Sequence, residues 1–476
     1  MIKTKIIATL GPASASAKTI SSMIETGVNV FRINFSHGDF QDYDKLLKEI
    51  TAAQDAAKPI TAVMGDLCGP KIRTGTIQPD ENILTEGDQV AIVPGEGKWT
   101  AKRFGTNYQY FVKDVQVGHR IFIDDGQISL LAVDKTDDEI ICKVLVGGKL
   151  KTRKGINLPD TEISIDSITE RDWQCVDWAM KNKIDFLALS FVRTSDEIKD
   201  LKAYINEKKS SIKVVSKIET PQAVSNLDSI IDASDAVLVA RGDLGVEMDL
   251  AQVPLIQKRI TKTCLDKGKP VIVATQMLQS MIDIPTPTRA EVSDVANAIM
   301  DMTDAVMLSG ETAVGSYPLD AVKAITRIAR FTEDYLDSLD EPRPTIETQD
   351  SLQLISTIAR SVAMIIDQTA APVAAIWSQG GKSAAFFSKA RIDAPVLAFS
   401  SDISISRQMC VNYGIIPGCA SVPDNKDKFA SLVEANIDQT NLAQKGDKVV
   451  LVTEAPIEKS PGTNSITIYT IGAETV

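Results

Sequence analysis

Apolar and polar positions follow two rhythms along this chain. Short runs of Ile, Val, Leu and Ala recur at KIIATL (5–10), VNVFRINFS (28–36), ITAVMGD (60–66), DFLALSF (185–191), IKVVSKIE (212–219), AVLVARGD (236–243), PVIVATQM (270–277) and AVMLSGE (305–311). Runs this continuous fit strands buried on both faces of a parallel sheet. Between them lie stretches of helical periodicity such as EIKDLKAYINEK (197–208). Eight successive βα units close naturally into a (β/α)8 barrel, and that is the predicted core.

A different rhythm fills the long interval between the third and fourth runs. GDQVAIV (87–93), HRIFIDDGQISLLAV (119–133) and EIICKVLVGG (139–148) alternate polar with apolar residues, and DDG marks a turn. That pattern predicts antiparallel strands. Residues 69–158 therefore read as a small β domain inserted after the third strand. It splits the barrel into 1–68 and 159–340 and stands over the barrel mouth as a lid. The polar, proline-containing stretch DSLDEPRPTIETQDS (337–351) predicts a linker. Beyond it, AAIWS (374–378), PVLAFS (395–400), KVVLVTE (448–454) and SITIYTI (465–471) alternate with helical patterns, predicting a third, α/β domain over 350–476.

Composition narrows the chemistry. The 476-residue chain carries a net charge of −12, which argues against a nucleic-acid surface. No run is apolar and long enough for a membrane span, and the first residues read as a strand rather than a signal peptide. The six cysteines are scattered without a CxxC pair, which predicts reduced thiols in the cytoplasm, with neither zinc site nor disulfide framework. The two histidines, His37 and His119, leave little room for His-based metal sites or a Ser-His-Asp mechanism. Carboxylates, cations, hydroxyls and a hard metal remain.

Barrel enzymes work at the C-terminal ends of their strands. Those ends carry Arg32, Asn34 and Ser36, then Asp66, Lys217 and Glu219, Asp243, Thr275, Ser309 and Glu311. Alternation puts Arg32, Asn34 and Ser36 on one face, with Phe31, Ile33 and Phe35 turned toward the helices. Glu219 and Asp243 end neighbouring strands. Two converging carboxylates without His or thiolate suit Mg²⁺ or Mn²⁺. Lys217, with Arg32 and Arg73 across the mouth, adds the positive charge that a phosphoryl group in transfer requires. In RGDLGVE (241–247), a glycine and a helix start could present free N–H groups to an anion.

These stretches also carry a resemblance. RINFSHG (32–38), DLCGPKIRTG (66–75), KGINLP (154–159), SKIET (216–220), ARGDLG (240–245), ATQML (274–278), PTRAEVSDVANA (287–298) and MLSGETA (307–313) resemble, in order, the motifs of the pyruvate kinase family. The resemblance implies transfer of phosphate from phosphoenolpyruvate to ADP, giving pyruvate and ATP. It implies that Lys217 stabilises the phosphoryl group and that Glu219 and Asp243 hold Mg²⁺. Gly242 and Asp243 would offer N–H groups, and Thr275 its hydroxyl, to the substrate carboxylate, while Arg32 contacts the phosphate. Asn34, His37, Arg73 and Lys154 match positions near nucleotide phosphates. Ser309 and Glu311 match the eighth-strand motif, and a hydroxyl–water chain through Thr275 and Ser309 is the expected proton route. PTRAEVSDVANA, read as a surface loop and helix, matches a subunit interface and implies a homotetramer.

At one position the chain departs from many relatives. They bind K⁺ through ligands matching Asn34, Ser36, Asp66 and the backbone of Leu67, and carry a glutamate where this chain has Lys71. An ammonium there would supply the charge internally, so K⁺ is not expected to be required. In the third domain, SQGGKSA (378–384) resembles a P-loop only superficially, because Ile376 stands where that pattern needs glycine. A strand–glycine loop–helix junction with Ser378, Lys382 and Ser383 could still hold a phosphorylated effector, with GTNS (462–465) nearby. Two other readings stay open at this level: a Mg²⁺-dependent lyase or aldolase acting on a 2-oxo acid, and a non-catalytic effector-binding protein on the same fold.

Overall fold

A computed structural model describes residues 2–56, 59–95, 97–339, 350–453 and 463–472. All eight apolar runs form strands: Lys5–Thr9, Val28–Asn34, Ala62–Asp66, Phe186–Leu189, Lys213–Ile218, Ala236–Ala240, Val271–Ala274 and Ala305–Leu308. They are parallel and close into one barrel, the first strand pairing with both the second and the eighth. Phe31, Ile33 and Phe35 are buried among the surrounding helices, while Val30 and Met64 pack inside the barrel. Each such side chain contributes roughly 1.5–3 kcal/mol by leaving water. That anchorage leaves Arg32 and Asn34 pointing inward at the mouth.

At the opposite end, each even strand begins with an Asx side chain that accepts a backbone N–H of the preceding odd strand. Ile6 donates to Asn29, Val63 to Asp185, Val214 to Asp235 and Val271 to Asp304, over 2.8–3.0 Å. Strand-start N–H groups that would otherwise be orphaned are satisfied four times in the same way.

The inserted segment has its own buried cluster, including Phe104, Phe111, Ile121, Ile123 and Leu130. Its sheet runs Ile156–Asn157, Arg120–Ile123, Ile128–Lys135, Ile140–Val146, Gln89–Pro94, Arg103–Thr106. The first four pairings are antiparallel as expected, but Gln89–Pro94 pairs with Arg103–Thr106 in parallel, so the lid sheet is mixed. Gly69, at φ 65°, turns the chain out toward it. A side chain at that glycine would meet Phe191 at 2.7 Å, so only glycine fits the turn.

The C-terminal sheet is ordered Ile415–Cys419, Val396–Ser400, Val373–Trp377, Lys448–Thr453, Ser465–Thr470, with the last strand antiparallel. Ile415–Cys419 is a strand that the apolar pattern does not announce. Pro417 and Gly418 interrupt it, and its place at the sheet edge is where a proline is tolerated. The expected linker is flanked by the helices Pro318–Asp337 and Asp350–Thr369; its residues 340–349 lie outside the described residues.

Candidate active site

The strand ends bring the expected charges together. Arg32 donates through Nε to Asp66 Oδ2 at 2.7 Å and through Nη1 to Thr9 Oγ1 at 3.0 Å. Lys217 Nζ lies 2.7 Å from Glu219 Oε1 and 3.4 Å from Asp66 Oδ1, and donates to Ser190 Oγ at 2.7 Å. Asp66 and Glu219 are each 1% exposed, so this alternating chain of cations and carboxylates is screened from water. Burial works against the Lys217 charge, but Asp66, Glu219 and Asp243 outweigh it and hold the ammonium above its ordinary pKa. Burial likewise opposes ionisation of Asp66, and Lys217 and Arg32 overcome it, keeping the carboxyl below its usual range.

Asp243 behaves differently. Burial, then the charge of Glu219 on the neighbouring strand, push it up to about 6. A half-buried carboxyl and a buried one that repel each other even with Lys217 nearby are an arrangement that a divalent ion relieves. No group of three or more His, Cys, Asp or Glu side chains suited to a metal occurs among the described residues. Two carboxylates, with substrate and water oxygens completing the shell, suit Mg²⁺ or Mn²⁺.

RGDLGVE does form a helix, Arg241–Glu247. The Gly242 N–H points at Thr275 Oγ1, 2.7 Å away, and that hydroxyl donates to Ala274 O at 2.6 Å. Both groups expected to receive a carboxylate are therefore side by side and engaged with each other. Thr275 sits at φ 67° and Gln276 at φ 53°. Left-handed backbone is costly for a β-branched residue, and such strain tends to collect at functional turns. Ser309 N donates to Glu311 Oε2 at 2.8 Å, while Glu311 Oε1 accepts Leu278 N at 3.0 Å. Glu311 thus clamps the eighth strand end to the loop after the seventh.

A cleft of about 330 Å³ lies between lid and mouth, lined by Lys71, Arg73, Lys154, Asn157, Asp243 and Glu247 among others. Arg73 donates to Arg153 O at 2.9 Å, and Lys154 pairs with Asp124 at 2.8 Å. Asn34 and His37 lie at the second strand's end, outside this lining; His37 N donates to Asn34 O at 3.3 Å. Among the oxygens matched to a monovalent cation, Asn34 Oδ1 accepts Ser36 N at 3.1 Å and Leu67 O accepts Ser190 Oγ at 2.7 Å. Ser36 Oγ accepts Lys71 Nζ at 2.8 Å.

Two participants carry no signal of their own in the sequence. Ser190 ends a strand run and bridges Lys217 to Leu67 O. Glu247 is 8% exposed and is raised to about 7 by burial, with the charges of Asp243 and Glu219 adding to it. Its spacing of four from Asp243, which puts both on one helical face, is the sign that could have found it.

In the C-terminal domain, Val373–Trp377 leads through Gly381, at φ 77°, into the helix Lys382–Lys389. Ser378 is buried and its hydroxyl accepts Ala384 N at 3.2 Å, so it closes the loop on itself. Lys382 is exposed, and Ser383 Oγ lies 2.7 Å from Thr463 Oγ1. GTNS thus does meet this loop through Thr463, while its Gly462 lies outside the described residues. All six cysteines are free thiols, four of them buried.

A closed parallel barrel with a lid, whose mouth sets cations among buried carboxylates, defines an enzyme for anionic substrates. Comparison with known proteins specifies which. Residues 1–322 match the pyruvate kinase barrel domain family and residues 356–469 the pyruvate kinase alpha/beta domain family. The chain is 39% identical to the pyruvate kinase of Geobacillus stearothermophilus, over 98% of this chain and 80% of that relative. It is 37% identical to that of Corynebacterium efficiens, over 99% and 98%. A crystal structure of a pyruvate kinase from Cryptosporidium parvum superposes with a TM-score of 0.90 at 32% identity, covering 98% of this chain and 96% of the other. The chain belongs to the pyruvate kinase family and is a phosphotransferase. No described helix is long and apolar enough to cross a membrane.

Proposed function

We propose that this chain transfers the phosphoryl group of phosphoenolpyruvate to ADP, giving pyruvate and ATP in the final step of glycolysis. The observation that carries the reading is the buried Arg32–Asp66–Lys217–Glu219 network beside Asp243. Lys217 and Arg32 neutralise the phosphoryl oxygens in flight. Glu219 and Asp243 would hold Mg²⁺ or Mn²⁺, which when bound supplies positive charge to substrate oxygens. Gly242, Asp243 and Thr275 receive the carboxylate, for which the Gly242–Thr275 contact must open. Asn34, His37, Arg73 and Lys154 face the nucleotide phosphates. Thr275 and Ser309 line the proton route to the enolate.

K⁺ is not required in this reading. The contact of Lys71 with Ser36, at the cation position, supports it. Regulation by a phosphorylated metabolite would act through Lys382 and Ser383, with Ser378 shaping the loop from inside. Homotetramer formation is supported by exposed apolar side chains on the barrel helices, such as Phe331 and Tyr335. Free, mostly buried thiols suit the cytoplasm.

A coupled assay of ATP formation from phosphoenolpyruvate and ADP, with and without Mg²⁺, tests the reading. Production of ATP that stops on chelation is expected. Turnover of a 2-oxo acid without nucleotide, and no ATP, would point instead to a lyase or aldolase.

A further inference from the structure

The last strand of the lid sheet, Ile156–Asn157, pairs antiparallel with Arg120–Ile123, Asn157 lying opposite Phe122. The two hinge strands hold each other: Ile156 N donates to Ile72 O at 2.9 Å and Thr74 N to Lys154 O at 2.8 Å. Those bonds do not fix the hinge to the barrel. Asn157 does so. Its Nδ2 donates to Glu247 Oε1 at 2.7 Å, across 90 positions of sequence. Glu247 closes the helix whose first turn presents Gly242 and Asp243. A carboxyl so thoroughly buried demands a hydrogen-bond partner, and the lid's amide provides one.

We propose that Asn157 and Glu247 are positioning residues. Their hydrogen bond is a strut that sets the lid and the Arg241–Glu247 helix in one register. The lid-side cations Arg73 and Lys154 are thereby held at a fixed distance from the barrel carboxylates. The inference rests on the phosphotransfer reading of the same site. A nucleotide bridging lid and barrel feels the register, because small misplacements of reacting groups cost large factors in rate. A substrate confined to the barrel mouth does not.

The test compares Asn157→Ala, Glu247→Ala and Glu247→Gln in two reactions: ATP formation, and ketonisation of enolpyruvate, which needs no nucleotide. Each alanine variant should lower kcat for ATP formation about tenfold while ketonisation stays within about twofold. Glu247→Gln keeps an acceptor oxygen for the Asn157 amide and should retain nearly full activity in both. The double alanine variant should be no worse than the poorer single one, because both remove the same bond. Parallel loss of both reactions, additive losses or no loss at all would overturn the strut. Should the alanine variants fail to fold, Asn157→Asp, which sets two carboxylates against each other, must show the same split. Absence of ATP formation by the unmodified protein would instead reject the phosphotransfer reading, before any variant is compared.

Discussion

Lys71 Nζ donates to Ser36 Oγ across 2.8 Å, joining the turn after the third barrel strand to the turn after the second. The ammonium thus reaches one of the oxygens proposed above for a monovalent cation. Positive charge supplied by a tethered side chain needs no ion from solution. Activity in K⁺ should therefore persist when K⁺ is replaced by a tetraalkylammonium salt. Lys71→Glu should convert the protein to one that loses most activity under that exchange. Loss of nearly all wild-type activity without K⁺ would refute the idea.

Lys217 stands between Glu219 and Asp66, and among the described residues no other cation pairs with both. Lys217→Met removes its charge but keeps much of its apolar stem. Phosphoryl transfer should fall about 10³-fold or more, the scale of losing a preorganised electrostatic group. Ketonisation of enolpyruvate, which transfers no phosphoryl group, should suffer much less. Equal loss in both reactions, measured side by side, would contradict the role given to the lysine.

Barrel strands were legible because strands covered on both faces read as plain apolar runs. Ile415–Cys419 was not, since Pro417 and Gly418 are permitted by an edge position that only the assembled sheet defines. Alternation in the lid revealed strands but not direction, so the parallel pairing of Gln89–Pro94 with Arg103–Thr106 had no local mark. Charges at the strand ends were equally visible; their partners were not. That Asp66 takes both Arg32 and Lys217 depends on three strands converging. Glu247 was faint, marked only by its spacing of four from Asp243, because its partner Asn157 lies 90 positions away in sequence.

At the barrel floor, Asp185 accepts Val63 N at 2.8 Å, and burial raises its carboxyl to about 7 despite that bond and the Arg407 charge. An unfolded aspartate titrates near 3.9. Between these values the folded state holds a proton that the unfolded state has released. Stability from this group is therefore present in full below about pH 4 and declines as pH rises toward 7. Asp185→Asn keeps an acceptor for Val63 but cannot ionise, so its stability relative to wild type should improve across that interval. Urea midpoints from pH 5 to 8 decide the matter: a constant difference between the two proteins would exclude the shift.

Asp304, at the foot of the eighth strand, joins the barrel to the C-terminal domain. Both it and Lys389 are fully buried and ion-paired, and Arg391 approaches the other carboxylate oxygen at 3.2 Å. Asp304 also accepts Val271 N at 2.8 Å. Asp304→Asn can keep that bond while removing the charge, which strands Lys389 and Arg391 as uncompensated cations. Breaking a buried pair from one side costs about 3–5 kcal/mol. Lys389→Met leaves Asp304 with Arg391 and an apolar chain of similar length in a dry site, so it should cost distinctly less. Burial already holds the Lys389 ammonium below its ordinary pKa, against the pull of Asp304. In Asp304→Asn that pull is gone, and the lysine can relieve the strain by shedding its proton. The deficit of this variant should accordingly shrink as pH rises above neutrality. Equal destabilisation by the two substitutions, or a deficit that grows with pH, would show that charge compensation is not what holds this junction together.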